Sequence, residues 1–250
     1  MARVGGHAEG AGTQVGLFAT THWSVVLAAG ESESPPAAEA LEKLCRTYWY
    51  PLYAYLRRRG YRHEDAQDLT QGFLFQLLER KSFTRVHKGR GRFRSFLLAG
   101  LNYYLIDERF RANAKKRGGG GRVFSLDAQT ADERYRLEPV DDLSPDKLFE
   151  RQWALTLLHT VLDRLEQEFR EAGKGELFDR LRGLLVAGTV QETYAAAGAD
   201  LGMTGEAVRK AVYRMRDRYH ELFREEIAHT LAEPVDIEEE TRHLRAVLAG

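Results

Sequence analysis

Apolar residues recur every three or four positions along most of the chain, which is the spacing of one face of an α-helix. Two stripes show this spacing most clearly: Ala66, Leu69, Phe73 and Leu77, and Trp153, Leu157, Val161 and Leu165. Strict alternation of apolar and polar residues, which marks a half-buried strand, is scarce. The pattern therefore predicts an all-α fold.

Local signals place the helices of the first half. Ser34 before Pro35 matches an N-cap followed by a first helical position, and Pro51 predicts a kink or a restart of the helix that begins there. Further helices are predicted over residues 53–59, over 63–80, and from Phe93 past residue 107.

A change in composition divides the chain into two predicted domains. Residues 118–121 are four glycines, and no helix is expected to continue through them because each costs about 1 kcal/mol relative to alanine. Residues 118–146 are rich in acidic and turn-forming residues and are predicted to be a linker. The expected order is a disordered lead over 1–16, a first domain over 17–117, this linker, a second domain over 147–224 and an acidic C-terminal extension over 225–250.

Charge is balanced over the whole chain but not along it. The chain has 37 Lys and Arg and 37 Asp and Glu, so attraction to nucleic acid must come from a local surface. Residues 80–122 hold 13 Lys or Arg and only two acids, and aromatic residues lie among them: Phe93, Phe96, Tyr103, Tyr104 and Phe110. Cations that attract phosphates, beside rings that stack on bases, are typical of surfaces that bind single-stranded DNA. Packing in the core is the alternative for each ring.

Enzymatic chemistry finds little support in the sequence. The eight histidines do not lie at metal-ligand spacing from acids or cysteines, and residues 118–121 lack the Lys-Ser/Thr of a phosphate-binding loop. Cys45 is the single cysteine, so no internal disulfide can form. We therefore expect no catalytic residue, no metal and no cofactor. The lack of a long apolar run or a signal-peptide core predicts a cytoplasmic protein.

A helix-turn-helix is predicted over residues 194–218. A helix of small residues is followed by a turn at 201–203 and by a longer basic helix with Thr204 at its N-cap. One face of the second helix is apolar: Val208, Ala211, Val212, Met215 and Tyr219. The opposite face carries Arg209, Lys210, Tyr213 and Arg214. This separation favours a recognition helix that enters the major groove, with a solvated surface helix as the alternative.

Acidic and amide residues occupy the outer side of the predicted helix 63–80. They are Glu64, Asp68, Gln71 and Glu79, and Phe75 lies among them. An aromatic ring among polar groups favours contact with a partner, because aromatic residues anchor interfaces, although a simply exposed ring is the alternative. Gly72, a poor residue inside a helix, predicts close packing with a neighbour.

The order of these features resembles the extracytoplasmic-function group of bacterial RNA polymerase sigma factors. Residues 65–71, Asp-Ala-Gln-Asp-Leu-Thr-Gln, are similar to the segment that in this family binds the clamp helices of the polymerase. Residues 93–97, with Asp107 and Arg109 downstream, resemble the segment that opens and holds the downstream promoter element. Residues 194–216 resemble the reader of the upstream element, with matches at Tyr194, Leu201, Gly202, Val208 and Arg214.

The resemblance implies a factor that is not an enzyme and that binds core RNA polymerase, through its clamp helices and flap, and promoter DNA. An anti-sigma factor is a further candidate partner. The implied polymerase contacts are Asp65, Asp68, Gln71 and Phe75. The implied contacts to the melted downstream element are Arg92, Phe93, Arg94, Phe96, Arg109 and Arg111. The implied contacts to the upstream element are Thr204, Glu206, Arg209, Lys210, Tyr213 and Arg214.

The sequence also departs from the family. Tyr103 stands where an Asn is usual, four residues before the Asp of the basic helix, so the preferred promoter bases cannot be transferred. Residues 196–198, Ala-Ala-Gly, replace the usual Glu-Ile-Ala and predict a thinner and more weakly packed first helix of the helix-turn-helix.

Two acidic segments allow more than one interpretation. The linker could occupy a basic channel of the polymerase, as in the family, or be a solvated spacer. Residues 225–240 hold seven acids and no Lys or Arg, so one hypothesis is that this tail folds over the basic faces and restrains the protein; a solvated tail is the alternative. The main alternative function is a helix-turn-helix transcriptional regulator that does not replace a sigma factor.

Overall fold

The computed structural model describes residues 35–79, 92–114, 128–136, 143–185, 191–231 and 237–249. Over these residues the chain forms nine α-helices and no strand, which confirms the all-α prediction. The helices are α1 (Pro35–Arg58), α2 (His63–Glu79), α3 (Phe93–Ala114), α4 (Ala128–Arg136), α5 (Pro145–Glu171), α6 (Gly175–Leu181), α7 (Gln191–Leu201), α8 (Gly205–Thr230) and α9 (Ile237–Ala249). The predicted lead and the glycine run 118–121 lie outside the described residues.

The first helix runs through its proline. Pro51 lies inside α1, so the chain does not restart there and the separate helix predicted over 53–59 is part of α1. Gly60 follows with φ of 87°, a left-handed conformation that glycine adopts without steric cost, and it allows the chain to turn into α2.

A first apolar core gathers α1, α2, α3 and the first half of α5. Its largest fully buried side chains include Trp153, Tyr48, Tyr53, Phe93 and Phe149. Close packing at Gly72 is confirmed, because a β-carbon there would collide with the hydroxyl of Tyr104 on α3. The glycine therefore allows α2 and α3 to approach each other.

Part of the predicted linker is a docked helix. In α4, Ala131 and Asp132 are buried, and the Arg134 guanidinium lies 3.8 Å from the centre of the Tyr50 ring on α1. Asp132 accepts a hydrogen bond from Arg57 and one of 3.2 Å from Tyr53. Burial acts to raise the pKa of the Asp132 carboxyl, but the hydrogen bond and charge of Arg57 leave it below its ordinary value. Residues 128–136 are thus not a solvated spacer in this structure.

A second apolar core joins the last half of α5 to α6, α7 and α8. Arg218 of α8 donates hydrogen bonds of 2.8 and 2.7 Å to both carboxylate oxygens of Glu168 on α5. These bonds hold the pKa of Glu168 below its ordinary value. Arg216 of α8 donates hydrogen bonds to the backbone carbonyls of Leu184 and Leu185, which lie just after α6.

Helix α5 contributes to both cores without interruption. Phe149 and Trp153 lie in the first core, and Val161 and Leu165 lie in the second. Helix α8 also continues past the predicted boundary at residue 224, and α9 packs against both α5 and α8. The two predicted domains therefore share one long helix, and their division stays a prediction. None of the helices described here has the length and apolar character needed to cross a membrane.

Candidate nucleic-acid interface

The turn between α7 and α8 has the geometry that the sequence predicted. Gly202 has a φ of 62°, and the backbone N–H of Met203 donates a 2.8 Å hydrogen bond to the carbonyl of Gly198. The hydroxyl of Thr204 accepts a 3.2 Å hydrogen bond from the backbone N–H of Ala207, so the predicted N-cap is confirmed. Together these groups end one helix and begin the next within three residues.

The small residues of α7 allow it to lie close to the turn. A β-carbon at Gly198 would collide with the backbone oxygen of Met203, and one at Gly205 would lie 3.4 Å from the backbone of Ala195. Tyr194 and Ala197 are buried in the second core. The two backbones therefore approach each other closely at these glycines, and weaker packing than in the family stays a prediction.

The two faces of α8 are separated as predicted. Its buried side chains include Val208, Ala211, Val212 and Met215, and its exposed ones include Arg209, Lys210, Tyr213 and Arg214. Tyr213 is 67% exposed, and Lys210 forms a 3.0 Å ion pair with Glu206, one turn earlier. Every side chain implied for upstream DNA is therefore at the surface, including the capping Thr204. Their contact with DNA stays a prediction.

On α2, the side chains implied for polymerase contact lie on the outer surface. Asp65 and Asp68 are exposed, Gln71 is half-buried, and Phe75 is 41% exposed. Ala66, Thr70, Phe73, Leu74 and Leu77 are buried on the opposite side. The structure thus presents an acidic surface that includes one large, partly exposed ring.

The first turn of α3 differs from the prediction of a basic DNA-binding face. Phe93 is fully buried, 5.3 Å from the Tyr48 ring, and Phe96 is half-buried against the same core. Arg94 is 1% exposed, is paired with Glu240 of α9, and lies 4.5 Å from the centre of the Trp153 ring. This corrects the expected surface placement of Phe93 and Arg94, because apolar packing and an acid from a distant segment bury them.

Arg92 lies at the edge of the same cluster. Its guanidinium lies 2.6 Å from Glu240 and 3.3 Å from Glu239, and its side chain is 32% exposed. Further along α3, Arg109 is exposed and donates a 3.2 Å hydrogen bond to the Tyr61 hydroxyl. Arg111 is in α3, but its side chain lies outside the described residues.

An exposed apolar stripe near the end of α3 contains Tyr103 and Phe110, two of the rings that the sequence placed among the cations, and adds Ile106. Tyr103 is 75% exposed, Ile106 50% and Phe110 70%. They lie three and four positions apart, so they share one face. The opposite face is formed by buried leucines: Leu97, Leu101 and Leu105. The signal was present in the sequence, because a helix with two apolar stripes can bury only one of them against a single core.

Among the residues that the structure describes, no three His, Cys, Asp or Glu side chains are placed to hold a metal ion. Comparison of the chain with protein-family models, with curated proteins and with solved structures finds no match. The function must therefore be inferred from the surfaces described above.

Proposed function

We propose that the chain is a cytoplasmic, sigma-type transcription initiation factor that binds core RNA polymerase and promoter DNA. In this proposal the outer face of α2 binds the polymerase, α3 contacts melted DNA, and α8 reads duplex DNA. The proposal has no catalytic role for the protein. Its support comes from three surfaces that differ in chemistry, each suited to a different ligand.

The observation that carries the proposal is the exposed Phe75 on α2, about two helical turns after the exposed Asp68. A protein that only binds operator DNA needs a recognition helix but has no use for an acidic surface with a large apolar ring. Aromatic residues are enriched at the centres of protein interfaces, where they contribute most of the binding energy. The acids around Phe75 fit a basic protein surface and would repel nucleic acid.

The end of α3 offers the exposed part of the proposed contact to unpaired bases. Tyr103 and Phe110 present exposed rings, and Arg109 lies nearby in the helix. An unstacked base gains about 1–3 kcal/mol on an aromatic ring, and neighbouring cations attract the phosphates. In the sequence, Lys115, Lys116 and Arg117 follow directly after this helix. Rings and cations are therefore concentrated at one end of α3.

Copurification with core RNA polymerase tests the proposal. Asp68→Arg and Phe75→Ala are each expected to reduce core binding at least about tenfold, since interface anchors contribute about 2 kcal/mol or more. Glu176→Arg is the matched control, because Glu176 is an exposed acid on α6 and is expected to leave binding unchanged. Run-off transcription with core enzyme on a random promoter library then reports initiation.

A helix-turn-helix regulator is the second candidate, supported by the geometry of α7 and α8 alone. It predicts duplex binding that depends on Arg209 and Arg214 but no association with core enzyme. A protein that binds duplex DNA in this way, yet neither copurifies with core enzyme nor supports transcription from any library member, would favour the regulator and reject the sigma-type function.

A further inference from the structure

The C-terminal helix α9 buries carboxylates against the start of α3. Glu240 has no exposed surface, pairs with Arg94, and lies 2.6 Å from the Arg92 guanidinium. Glu239 lies 3.3 Å from Arg92 at the exposed edge of the cluster. Two acids from one end of the chain therefore occupy two arginines of the most basic segment in the sequence.

The same cluster connects α9 to α5. Glu150 of α5 lies 3.6 Å from the Arg94 guanidinium and 3.1 Å from His243 of α9, with which it shares a hydrogen bond. Leu244 of α9 is buried in the first core. The backbone of Arg92 also pairs with that of Leu231, at the end of α8. The contact therefore joins α3, α5, α8 and α9 through several interactions, and it is more than a single surface ion pair.

A pair of arginines, one buried and one half-exposed, can hold carboxylates or phosphates, but not both at once. The acids of α9 pair with the guanidiniums of Arg92 and Arg94, which are groups that also bind phosphates. Leaving either charge buried without a partner is costly, so the cluster favours the docked position of α9. Release of α9 would remove the carboxylates of Glu239 and Glu240 from both cations.

We propose that α9 is an intramolecular inhibitor, which covers Arg92 and Arg94 and must leave before DNA can bind at the start of α3. This inference rests on the proposed function in assigning α3 to DNA. Apparent affinity falls in proportion to the fraction of molecules in the binding-competent state. The free protein is therefore a weak binder of single-stranded DNA, and an open variant is a stronger one.

The test measures the affinity of the full-length protein for a fluorescently labelled oligothymidine. Glu240→Gln removes the buried charge and Leu244→Ala removes the apolar anchor, and each is expected to raise affinity about tenfold or more. Glu176→Gln on α6 is the matched control for the charge, and Ala246→Ser is a control for substitution in α9, because both residues are exposed. The controls are expected to change affinity by less than about twofold, since neither residue covers the arginines.

Hydrogen exchange across residues 237–249 reports whether α9 has been released in each variant. Released α9 with unchanged affinity for the oligothymidine overturns the proposal. A third variant ends the chain at residue 236, which spares Ile227 and Leu231 of the first core. Its affinity is expected to match the open variants and to fall again when a peptide of residues 232–250 is added. If the shortened protein keeps its helical circular dichroism and binds no better than the full chain, the proposal also fails.

Binding to core polymerase separates this inference from the proposed function. The polymerase face lies on α2, away from the cluster formed by Arg92, Arg94 and α9. If core enzyme binds and initiates while none of the variants gains affinity for DNA, only the role of α9 is wrong. If the variants gain affinity while core enzyme never binds, the sigma-type function is wrong and the inhibitory contact stands.

Discussion

Helices α3 and α8 both carry arginines proposed to contact DNA, but they present them in different ways. On α8, Arg209 and Arg214 are exposed opposite an apolar face that is buried in the second core. At the start of α3, Arg92 and Arg94 face the carboxylates of α9. The difference shows that the role of an arginine depends on whether an acid from another segment reaches it. One helix offers cations directly, while the other offers rings and keeps its first cations covered.

The largest expected effect is on stability at the covered site. Arg94→Met keeps the apolar part of the side chain but removes the buried one of the two guanidiniums that pair with Glu240, and we expect a loss of about 3–5 kcal/mol in the free energy of unfolding. Arg214→Met is the matched change on α8, and we expect a change within about 0.5 kcal/mol because the side chain is exposed. Urea denaturation measures both. Equal effects of the two substitutions would contradict the distinction between the helices.

Within α3, we expect Phe93 to contribute to stability and Phe110 to contribute to DNA binding. Phe93→Ala is expected to cost about 3–5 kcal/mol of unfolding free energy, because the ring is fully buried. Phe110→Ala is expected to leave stability nearly unchanged and to weaken binding of single-stranded DNA by about 1–3 kcal/mol, in a variant in which α9 is released. Fluorescence titration with labelled oligothymidine measures the second effect. If Phe110→Ala reduced stability but did not weaken binding of single-stranded DNA, the exposed stripe would have a structural role and not a binding role.

On α8, loss of the exposed cations should affect DNA binding alone. Arg209→Ala and Arg214→Ala are each expected to weaken duplex binding by about 1–3 kcal/mol while the unfolding free energy stays the same. Arg242→Ala is the matched control, because Arg242 is an exposed arginine on α9. Electrophoretic mobility shift with promoter fragments measures the affinity. An equal loss in the control would indicate a general charge effect and not readout by α8.

The smallest expected effect concerns how α8 begins. Thr204→Ala removes the side-chain acceptor for the N–H of Ala207 and is expected to cost about 1 kcal/mol of unfolding free energy. Thr204→Ser keeps the hydroxyl and should retain most of that stability. Thermal denaturation of the three proteins provides the comparison. If the alanine variant were as stable as the wild type, the local cap would not be what fixes the start of α8.

Local features of the sequence were predictable because their causes lie within a few residues. The turn at Gly202, the cap at Thr204 and the two faces of α8 follow from a left-handed glycine, a hydroxyl acceptor and helical spacing. Exposure of Phe75 and close packing at Gly72 were also predicted correctly. The prediction was less successful for α3, because its spacing allowed either apolar stripe to be the buried one.

The sequence by itself determined the all-α class, the starts of α2, α3 and α8, and the separate faces of α2 and α8. Only the tertiary structure decided that α4 docks on α1, that α5 passes through both cores, and that Glu240 reaches Arg94 across 146 residues. Helical periodicity acts over one or two turns, so it specifies which residues share a face. Which faces meet depends on burial and charge pairing between segments far apart in the chain, and those interactions leave no local pattern.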